Sequence, residues 1–192
     1  MRSDYQVIVE WTRTGSSVLD LGCGDCELLS ILVNEKHVKA NGVEIDEAAV
    51  YKCVERGVSV LHEDIEAGLS GYPDESFDYV IMNESLQQVK KPDDVFKEAL
   101  RVGKRLIVGF PNFSHIASRF QILFSGKVPV TPSLPYQWYD TPNLHFLSVN
   151  DFRDYCKLRN LKIEASAYLS RGRRIGFWPN LLAEQGIFLL SK

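Results

Sequence analysis

The chain has 192 residues, of which 45% are hydrophobic and 24% charged, and its formal net charge is −3. That length suits one domain with a sizeable core. The negative charge disfavours a nucleic-acid-binding protein, which needs a basic face. No apolar run approaches the roughly 20 residues that a membrane helix requires. Because the first residues include an acid and no long apolar segment, no signal peptide is predicted. We therefore expect a cytoplasmic protein that binds neither membrane nor nucleic acid.

Strands and helices are predicted to alternate through the first 110 residues. After a short helix over residues 4–13, apolar strands are predicted at 17–21, 40–45, 58–61, 77–82 and 105–110. Amphipathic helices are predicted between them, at 27–36, 47–56 and from Pro92 onward. Strands that alternate with helices at this spacing favour right-handed crossovers and a parallel sheet.

The pattern changes after Asn112. A helix is predicted at 113–124 and another at 149–160, separated by an irregular stretch at 125–147 that contains four prolines. So long an irregular stretch is usually functional, and we interpret it as a lid or an interaction insert. Two last strands, 161–169 and 186–190, have no helix between them and should pair antiparallel. The sequence thus predicts a single α/β domain over 1–192, with five parallel strands completed by that pair.

A glycine-rich turn follows the first strand, in the segment Asp20-Leu21-Gly22-Cys23-Gly24. Gly22 and Gly24 allow unusual backbone angles and a close approach to a ligand. The helix that begins beyond them offers free N–H groups. Asp20 stands at the carboxyl end of a strand, where open α/β sheets bind ligands, and its carboxylate suits an ammonium or sulfonium group.

Acidic residues also end the next strands. Glu44 is placed to accept hydrogen bonds from both hydroxyls of a ribose, whereas Asp46 is better used as a helix cap. Asp64 could accept from an adenine amino group while Ile65 packs on the ring. Asn83, with its neighbour Glu84, completes the rim of the expected site.

A nicotinamide dinucleotide is the alternative ligand for such a turn. Its fingerprint, G-x-G-x-x-G, fails here because Glu27 occupies the third glycine's place. An acid before the first glycine also repels a pyrophosphate. These features favour an adenosine-type cofactor without a phosphate bridge.

Four cysteines are present: Cys23, Cys26, Cys53 and Cys156. Cys23 and Cys26 form a C-x-x-C pair, which could in principle bind zinc or cycle between thiols and a disulfide. A zinc site would want a second pair at similar spacing, and the sequence has none. We interpret the pair as two small residues in the glycine-rich turn and predict no metal site.

The segment Val18–Gly24 resembles motif I of the class I S-adenosylmethionine-dependent methyltransferases, and 42–46 and 63–65 resemble their next two motifs. The resemblance covers essentially the whole chain. It implies a Rossmann-like fold with a seven-stranded, mostly parallel sheet, an antiparallel final strand and helices on both faces. It also implies a site for S-adenosylmethionine or S-adenosylhomocysteine. The residues assigned to that cofactor are Asp20, Gly22, Cys23, Gly24, Glu44, Ile45, Asp64, Ile65 and Asn83.

A narrower resemblance is to the MetW family of methionine biosynthesis. It is carried by 105–112 (RLIVGFPN) and 135–145 (PYQWYDTPNLH). It implies a role beside a homoserine O-acyltransferase, in a family whose fold is that of methyltransferases but whose methyl acceptor is not clear. The sequence departs from the broader motif at one position, since Cys26 stands where a third glycine is expected. A Cβ there could crowd the helix start or the amino-acid end of the cofactor.

Two hypotheses for function follow. In the first, the chain is an accessory protein of the acyltransferase with a regulatory cofactor; in the second, it is an active methyltransferase on a small metabolite. A third alternative is a degenerate pocket in a fold kept as a binding scaffold. Methyl transfer needs alignment and sometimes a general base, for which His115, His145 and Tyr139 are the named candidates. The aromatic residues of 135–145 serve equally well in a protein interface. The oligomeric state is left open.

Overall fold

The computed structural model describes residues 1–67 and 69–192. Its strands are β1 Ser17–Leu21, β2 Lys39–Glu44, β3 Ser59–His62, β4 Phe77–Asn83, β5 Gly103–Pro111, β6 Lys162–Ser170, β7 Arg173–Arg174 and β8 Gln185–Ser191. Its α-helices are α1 Ser3–Trp11, α2 Glu27–Lys36, α3 Glu47–Glu55, α4 Pro92–Val102, α5 Ile116–Ser125, α6 Val149–Leu158 and α7 Pro179–Leu182. Short 3₁₀ turns lie at Ile65–Ala67 and Leu86–Gln88.

All the described strands form one sheet, in the order β3-β2-β1-β4-β5-β8-β6-β7. The first five strands pair in parallel, and β8 pairs antiparallel with both β5 and β6. The predicted α/β class, the parallel set and the antiparallel final strand are confirmed. The sheet has eight strands rather than seven because the two residues of β7 turn back on the end of β6.

Alternating side chains along each strand build a core on each face of the sheet. In β4, Val80 and Met82 face the side covered by α4 and α6, and Tyr79 and Ile81 face the side covered by α1 and α2. This alternation follows from the two-residue period of a strand. Both faces are therefore covered by helices, as predicted, and the ends of the strands remain free to form a site.

Helix α5 differs from the prediction in where it begins. The Asn112 side chain accepts a hydrogen bond from the Ser114 backbone N–H, and His115 caps the helix by accepting from the Ala117 N–H. These contacts use residues 113–115 as a turn, so the helix starts at Ile116.

Residues 126–147 contain neither a helix nor a named strand, as the prolines suggested. An isolated β-bridge joins Thr131 and Leu134 within this segment.

Within the described residues, none of the helices combines the length and the apolar character needed to cross a membrane.

Candidate functional site

The glycine-rich turn leads from β1 into α2 at the carboxyl edge of the sheet. The backbone N–H groups of Gly22 and Cys23 both donate to the Val43 carbonyl oxygen, at 2.8 and 3.2 Å. The φ angles of Gly22 and Gly24 are +78° and +55°, in the region that favours glycine. A Cβ on Gly22 would lie 2.8 Å from the Cβ of Ser85. The turn therefore needs glycine both for its backbone and for the space in front of it.

Glu44 connects the turn to the end of β2. Its Oε2 accepts a hydrogen bond of 2.7 Å from the Gly24 N–H, and its Oε1 accepts from the N–H groups of Ile45 and Asp46, both at 2.9 Å. Asp46 in turn caps α3 by accepting from Ala48 N–H, which agrees with the role expected for it. Glu44 thus fixes two loops and presents a carboxylate at their junction.

Asp20 is buried at the base of the turn, with 3% of its surface exposed. Its Oδ1 finds no hydrogen-bond partner in the part of the chain that the structure describes. Burial, and secondly repulsion by the Glu44 carboxylate, raise the pKa of Asp20 to about 7. A buried acid with an unused oxygen is ready to pair with a cation.

A cavity of about 360 Å³ opens in front of the turn; we call it the glycine-loop cavity. Its lining residues are Gly22, Gly24, Glu44, Ile45, Asp64, Ile65, Glu66, Glu84, Ser85, Gln88, Val89 and Lys90. Six of the residues predicted to hold a cofactor line it: Gly22, Gly24, Glu44, Ile45, Asp64 and Ile65. The sequence analysis did not single out Ser85 or Lys90, because the turn that carries them follows β4 without a recognisable motif.

Three predicted cofactor residues do not line the cavity. Asp20 lies at the base of the turn, and Cys23 is buried with its side chain among other cysteines. The Asn83 side chain donates to Asp4 Oδ2 at 2.8 Å, which holds α1 against the end of β4. Their assignment to the cofactor stays a prediction.

None of the three candidate catalytic residues lines the glycine-loop cavity, and each has a different environment. His115 caps α5, and burial is the largest cause of the lowered pKa of its imidazole. His145 borders an apolar cavity with Phe96, Phe152 and other side chains. Tyr139 is 71% exposed and packs edge-on against Trp138, with ring centroids 5.6 Å apart. The structure does not bring them together, and a catalytic role for each stays a prediction.

A second cavity, of about 380 Å³, lies beside the first and shares Glu84 and Gln88 with it; we call it the insert cavity. It is closed by the proline-rich segment through Pro132, Pro135 and Tyr136 among others. Glu84 faces both cavities and is held by Arg2, at 2.7 Å, and by Gln185, at 2.8 Å. The sequence analysis missed Arg2, since nothing in its local pattern indicates a contact with residue 84.

The cysteines of the turn do not act only as small residues, so that interpretation was incomplete. Cys26 is disulfide-bonded to Cys53 of α3, 27 residues further along the chain. The sulfur of Cys23 lies 3.4 Å from that of Cys26 and 3.9 Å from that of Cys53. The Cys26 side chain is fully buried in this cluster and does not line the glycine-loop cavity. Crowding of the cofactor's amino-acid end by Cys26 stays a prediction.

Comparison with known proteins agrees with this geometry. The family model described as "Methionine biosynthesis protein MetW" matches residues 2–190. This chain belongs to the MetW family. A curated relative, the bifunctional methionine biosynthesis protein MetXA/MetW of Rhodopirellula baltica, is 33% identical over 202 residues. The match covers 98% of this chain but only 32% of that relative, so this MetW-family chain spans about a third of the longer protein.

Solved structures share the fold at lower identity. A protein of Thermotoga maritima described as an S-adenosylmethionine-dependent methyltransferase, possible histamine N-methyltransferase, is 22% identical, with a TM-score of 0.69 over 99% of this chain and 87% of its own. The [4+2]-cyclase SpnF is 18% identical, with a TM-score of 0.70 over 98% of this chain and 80% of its own. The MetW-family chain therefore has the class I methyltransferase fold, which proteins with different reactions share.

The residues present fit the cofactor that this fold commonly holds. The unpartnered Asp20 oxygen suits a cationic amino-acid group, and Glu44 lies at the cavity wall where ribose hydroxyls could donate to it. Ser85 adds a second buried oxygen without a partner among the described residues. The space that a Gly22 Cβ would fill is left open to the ligand.

Proposed function

We propose that this MetW-family protein binds S-adenosylmethionine or S-adenosylhomocysteine in the glycine-loop cavity and acts as a partner of homoserine O-acyltransferase. The observation that carries the proposal is the relative from Rhodopirellula baltica, whose single chain bears both the MetXA and the MetW names. Joining two units in one polypeptide keeps each at high effective concentration for the other. Such a fusion supports a working association between the same two units when they are separate chains.

The cofactor part of the proposal is supported by the electrostatics of the cavity. Four acidic residues line its wall, Glu44, Asp64, Glu66 and Glu84, with Lys90 as the basic residue of the lining. Asp20 is buried nearby, at the base of the turn. A cationic ligand that carries ribose hydroxyls matches that set better than a phosphate-bearing one. When bound, S-adenosylmethionine supplies an electrophilic methyl group. Asp20 and Glu44 would orient the ligand, and Ile65 would cover part of it.

Isothermal titration calorimetry tests this part directly. We expect the purified chain to bind S-adenosylmethionine and S-adenosylhomocysteine and not to bind NAD⁺. Glu44→Ala should weaken binding at least tenfold, because the variant loses the carboxylate at the cavity wall. Glu63→Gln is the matched control, since Glu63 is exposed and does not line the cavity. If neither S-adenosylmethionine nor S-adenosylhomocysteine gives a heat of binding, the cofactor assignment is overturned.

The partner part of the proposal is supported by an apolar surface that the fold leaves uncovered. On α5, Leu123 and Phe124 are 73% and 77% exposed, and on the insert Trp138 is 72% exposed. Exposed aromatic clusters of this kind mark interaction sites more often than ordinary surface. We propose that α5 and the insert 125–147, together called the aromatic face, contact the acyltransferase.

The insert is a fixed part of this face rather than a loose loop. The Gln121 side chain of α5 both donates to the Val130 carbonyl and accepts from the Val130 N–H, each at 2.9 Å. At its other end, the N–H groups of Leu144 and His145 donate to the Gln87 carbonyl. A surface ordered in this way loses little conformational entropy on binding.

Association can be measured by analytical ultracentrifugation with the homoserine O-acyltransferase of the same genome. We expect a complex, and a change in acyltransferase activity when S-adenosylmethionine is added. Independent sedimentation of the two proteins at micromolar concentration, with and without the ligand, would contradict the partnership while leaving cofactor binding intact.

Methyl transfer to a small metabolite is the second candidate function, and the insert cavity favours it. That cavity adjoins the proposed cofactor position and is lined by polar groups, including Glu84 and Asn143. It offers space for a small polar acceptor, and Glu84 is an acidic residue that lines both cavities. Label transfer from methyl-labelled S-adenosylmethionine to a panel of metabolites distinguishes this function, and a Glu84→Gln variant should abolish any transfer that depends on a base there.

A further inference from the structure

Three buried sulfur atoms meet directly beneath the glycine-rich turn. Cys26 and Cys53 form a disulfide with their Cα atoms 5.0 Å apart, and Cys23 contacts both sulfurs. The fourth cysteine, Cys156, is a buried free thiol in the core on the opposite face of the sheet. The disulfide therefore lies under one of the two loops that Glu44 holds together.

The disulfide connects the two segments that frame the proposed cofactor site. Cys26 is the residue before α2, at the end of the turn, and Cys53 belongs to α3, which begins three residues after Glu44. The sulfur of Cys53 also lies 3.2 Å from the Gly24 carbonyl oxygen. Gly24 is thus held at its N–H by the Glu44 carboxylate, and its carbonyl oxygen lies against the disulfide.

The backbone at Cys26 lies in a region that favours glycine. Its φ is +59°, in the left-handed region where a side chain is disfavoured. The Cys26 side chain is nonetheless fully buried, in the same hydrophobic cluster as Cys53. Bonded to Cys53, it fixes the turn to α3.

We propose that Cys26 and Cys53 form a reversible dithiol–disulfide site that sets the affinity of the glycine-rich turn for its cofactor, with a small thiol or disulfide as the reactant. The proposal rests on the proposed cofactor binding. In the oxidised form the turn is held in its cofactor-ready shape, so less conformational freedom is lost on binding. In the reduced form the turn and α3 move more freely relative to each other. Ordering them then costs part of the binding free energy, so the affinity falls.

A low-molecular-weight disulfide such as oxidised glutathione can oxidise the two protein thiols. The thiolate of one cysteine attacks the disulfide, forms a mixed disulfide and releases one glutathione thiolate, which takes up a proton. The thiolate of the second cysteine then displaces the other glutathione. Two protein thiols are oxidised and one glutathione disulfide is reduced to two thiols; reduction of the protein is the reverse.

Cys23 does not take part as a nucleophile. Burial, followed by the nearby carboxylates of Asp20 and Glu44, raises the pKa of its thiol far above neutrality. While the turn is closed, the thiolate form of Cys23 is therefore scarce. Since Cys26 and Cys53 are fully buried, a reactant reaches them only when the turn opens. A ligand seated on the turn should slow that opening.

The number of free thiols is the first measurement. The protein as purified, treated with oxidised glutathione, unfolded and alkylated, should take up two labels on Cys23 and Cys156, and four labels after reduction. Four labels without reduction would overturn the proposal. Retention of zinc by the reduced protein with protection of three cysteines from alkylation would also overturn it, in favour of a metal site.

Affinity in the two states is the second measurement. Calorimetry with S-adenosylhomocysteine should give a dissociation constant three- to tenfold lower for the oxidised than for the reduced protein. By linkage, a tenfold preference shifts the midpoint potential of the pair by about 30 mV toward more negative values when the ligand is saturating. Equal affinities in both states would refute the coupling alone. Absence of binding in both states would instead refute the proposed cofactor function.

Two variants distinguish the effect of the Cys26–Cys53 disulfide on affinity from a general effect of removing a buried thiol. Cys26→Gly suits the left-handed backbone and should bind like the reduced protein whatever the redox buffer. Cys156→Ser removes a buried thiol outside the site and should keep the full difference between oxidised and reduced forms. A redox-dependent affinity that persists in Cys26→Gly would contradict the assignment to this pair.

Discussion

At the scale of single residues, Asp20 and Gly22 show how the chain trades stability for a binding site. Asp20 is buried with an unused oxygen, and Gly22 adopts an angle that other residues avoid. The unpartnered Asp20 oxygen costs the folded chain free energy in the absence of a ligand. Glycine adopts this angle without steric strain but loses more backbone freedom on folding than other residues. Sequence alone indicated both residues, because their types and their place after a strand are informative. The elevated pKa of Asp20 depends on how deeply the turn is buried and on Glu44, which only the structure shows.

Replacing Asp20 with asparagine should stabilise the ligand-free protein above neutral pH. The pKa of Asp20 is raised to about 7 from 3.8, so the folded state holds a proton that the unfolded state has released between about pH 4 and pH 7. Stability from this group is present below pH 4 and is lost as the pH rises to 7. In thermal or urea unfolding, Asp20→Asn should gain on the order of 4 kcal/mol at pH 8, since the pKa is shifted by about three units and each unit corresponds to about 1.4 kcal/mol.

The gain should shrink as the pH falls from 7 and vanish below about pH 4, where the Asp20 carboxyl is neutral in both the folded and the unfolded state. The same variant should bind S-adenosylhomocysteine more weakly at pH 8. A pH-independent difference in stability would show that Asp20 is not the source.

Replacing Gly22 with alanine should lower the free energy of unfolding by more than the backbone angle alone explains. Gly15 has nearly the same φ, +76° against +78°, but a Cβ there meets no atom within 4 Å. Gly15→Ala should therefore cost about 1–2 kcal/mol. Gly22→Ala should cost a further 1–3 kcal/mol from overpacking against Ser85, and should remove cofactor binding. Urea unfolding and calorimetry compare the two variants, and equal costs would mean that the space before Gly22 is unimportant.

At the scale of elements, the sheet was predictable and the segments around it were less so. Alternating apolar positions and helix caps placed β1, β2, β4 and α4 close to their observed bounds. The short β7 and α7 carry too few residues to show a period. The positions of His115 and His145 depend on the path of loops around Asn112 and Gln87, which local sequence does not encode. That is why cofactor residues could be placed on strand ends but a base could not be placed.

On helix α5 we expect substitutions that weaken the complex with the acyltransferase while leaving the stability of the fold almost unchanged. Ser118 is the residue that it buries, while its apolar side chains face outward. A Leu123→Ser/Phe124→Ser double variant should change unfolding free energy by less than about 0.5 kcal/mol, as for other surface positions. It should nevertheless weaken the acyltransferase complex at least tenfold in sedimentation or calorimetry.

Leu158→Ser is the control for this prediction. Leu158 is 71% exposed at the far end of α6 from the insert. It should leave both stability and association unchanged. Equal binding by the double variant and the control would place the acyltransferase on another surface.

At the scale of the whole molecule, one cross-link joins the end of the glycine-rich turn to helix α3. The C-x-x-C spacing drew attention to Cys23 and Cys26, but the bonding partner, Cys53, was not indicated. Their proximity results from the packing of α3 beside the turn, a contact between segments 27 residues apart. No local pattern reports such a contact, and so the disulfide had to be found in three dimensions.

Reduction should lower global stability as well as affinity. Closing a loop of 27 residues restricts the unfolded chain, and for a loop of this size the expected stabilisation is about 2–4 kcal/mol. The midpoint of urea unfolding should fall accordingly when a phosphine reductant is added to the oxidised protein. The Cys26→Gly variant should show no such response to the reductant. An identical midpoint in both conditions for the unmodified chain would mean that the bond does not persist in solution.

The proton held by Asp20 has a thermodynamic consequence for any titration of this molecule. A cationic ligand paired with that carboxylate favours its ionised form, so binding near pH 7 should release part of a proton to the solvent. The observed heat then includes the ionisation enthalpy of the buffer that accepts the proton. Titrations run in phosphate and in Tris should therefore differ in apparent enthalpy but not in the buffer-corrected value. The slope of the apparent binding enthalpy against the ionisation enthalpy of the buffer gives the number of protons released on binding.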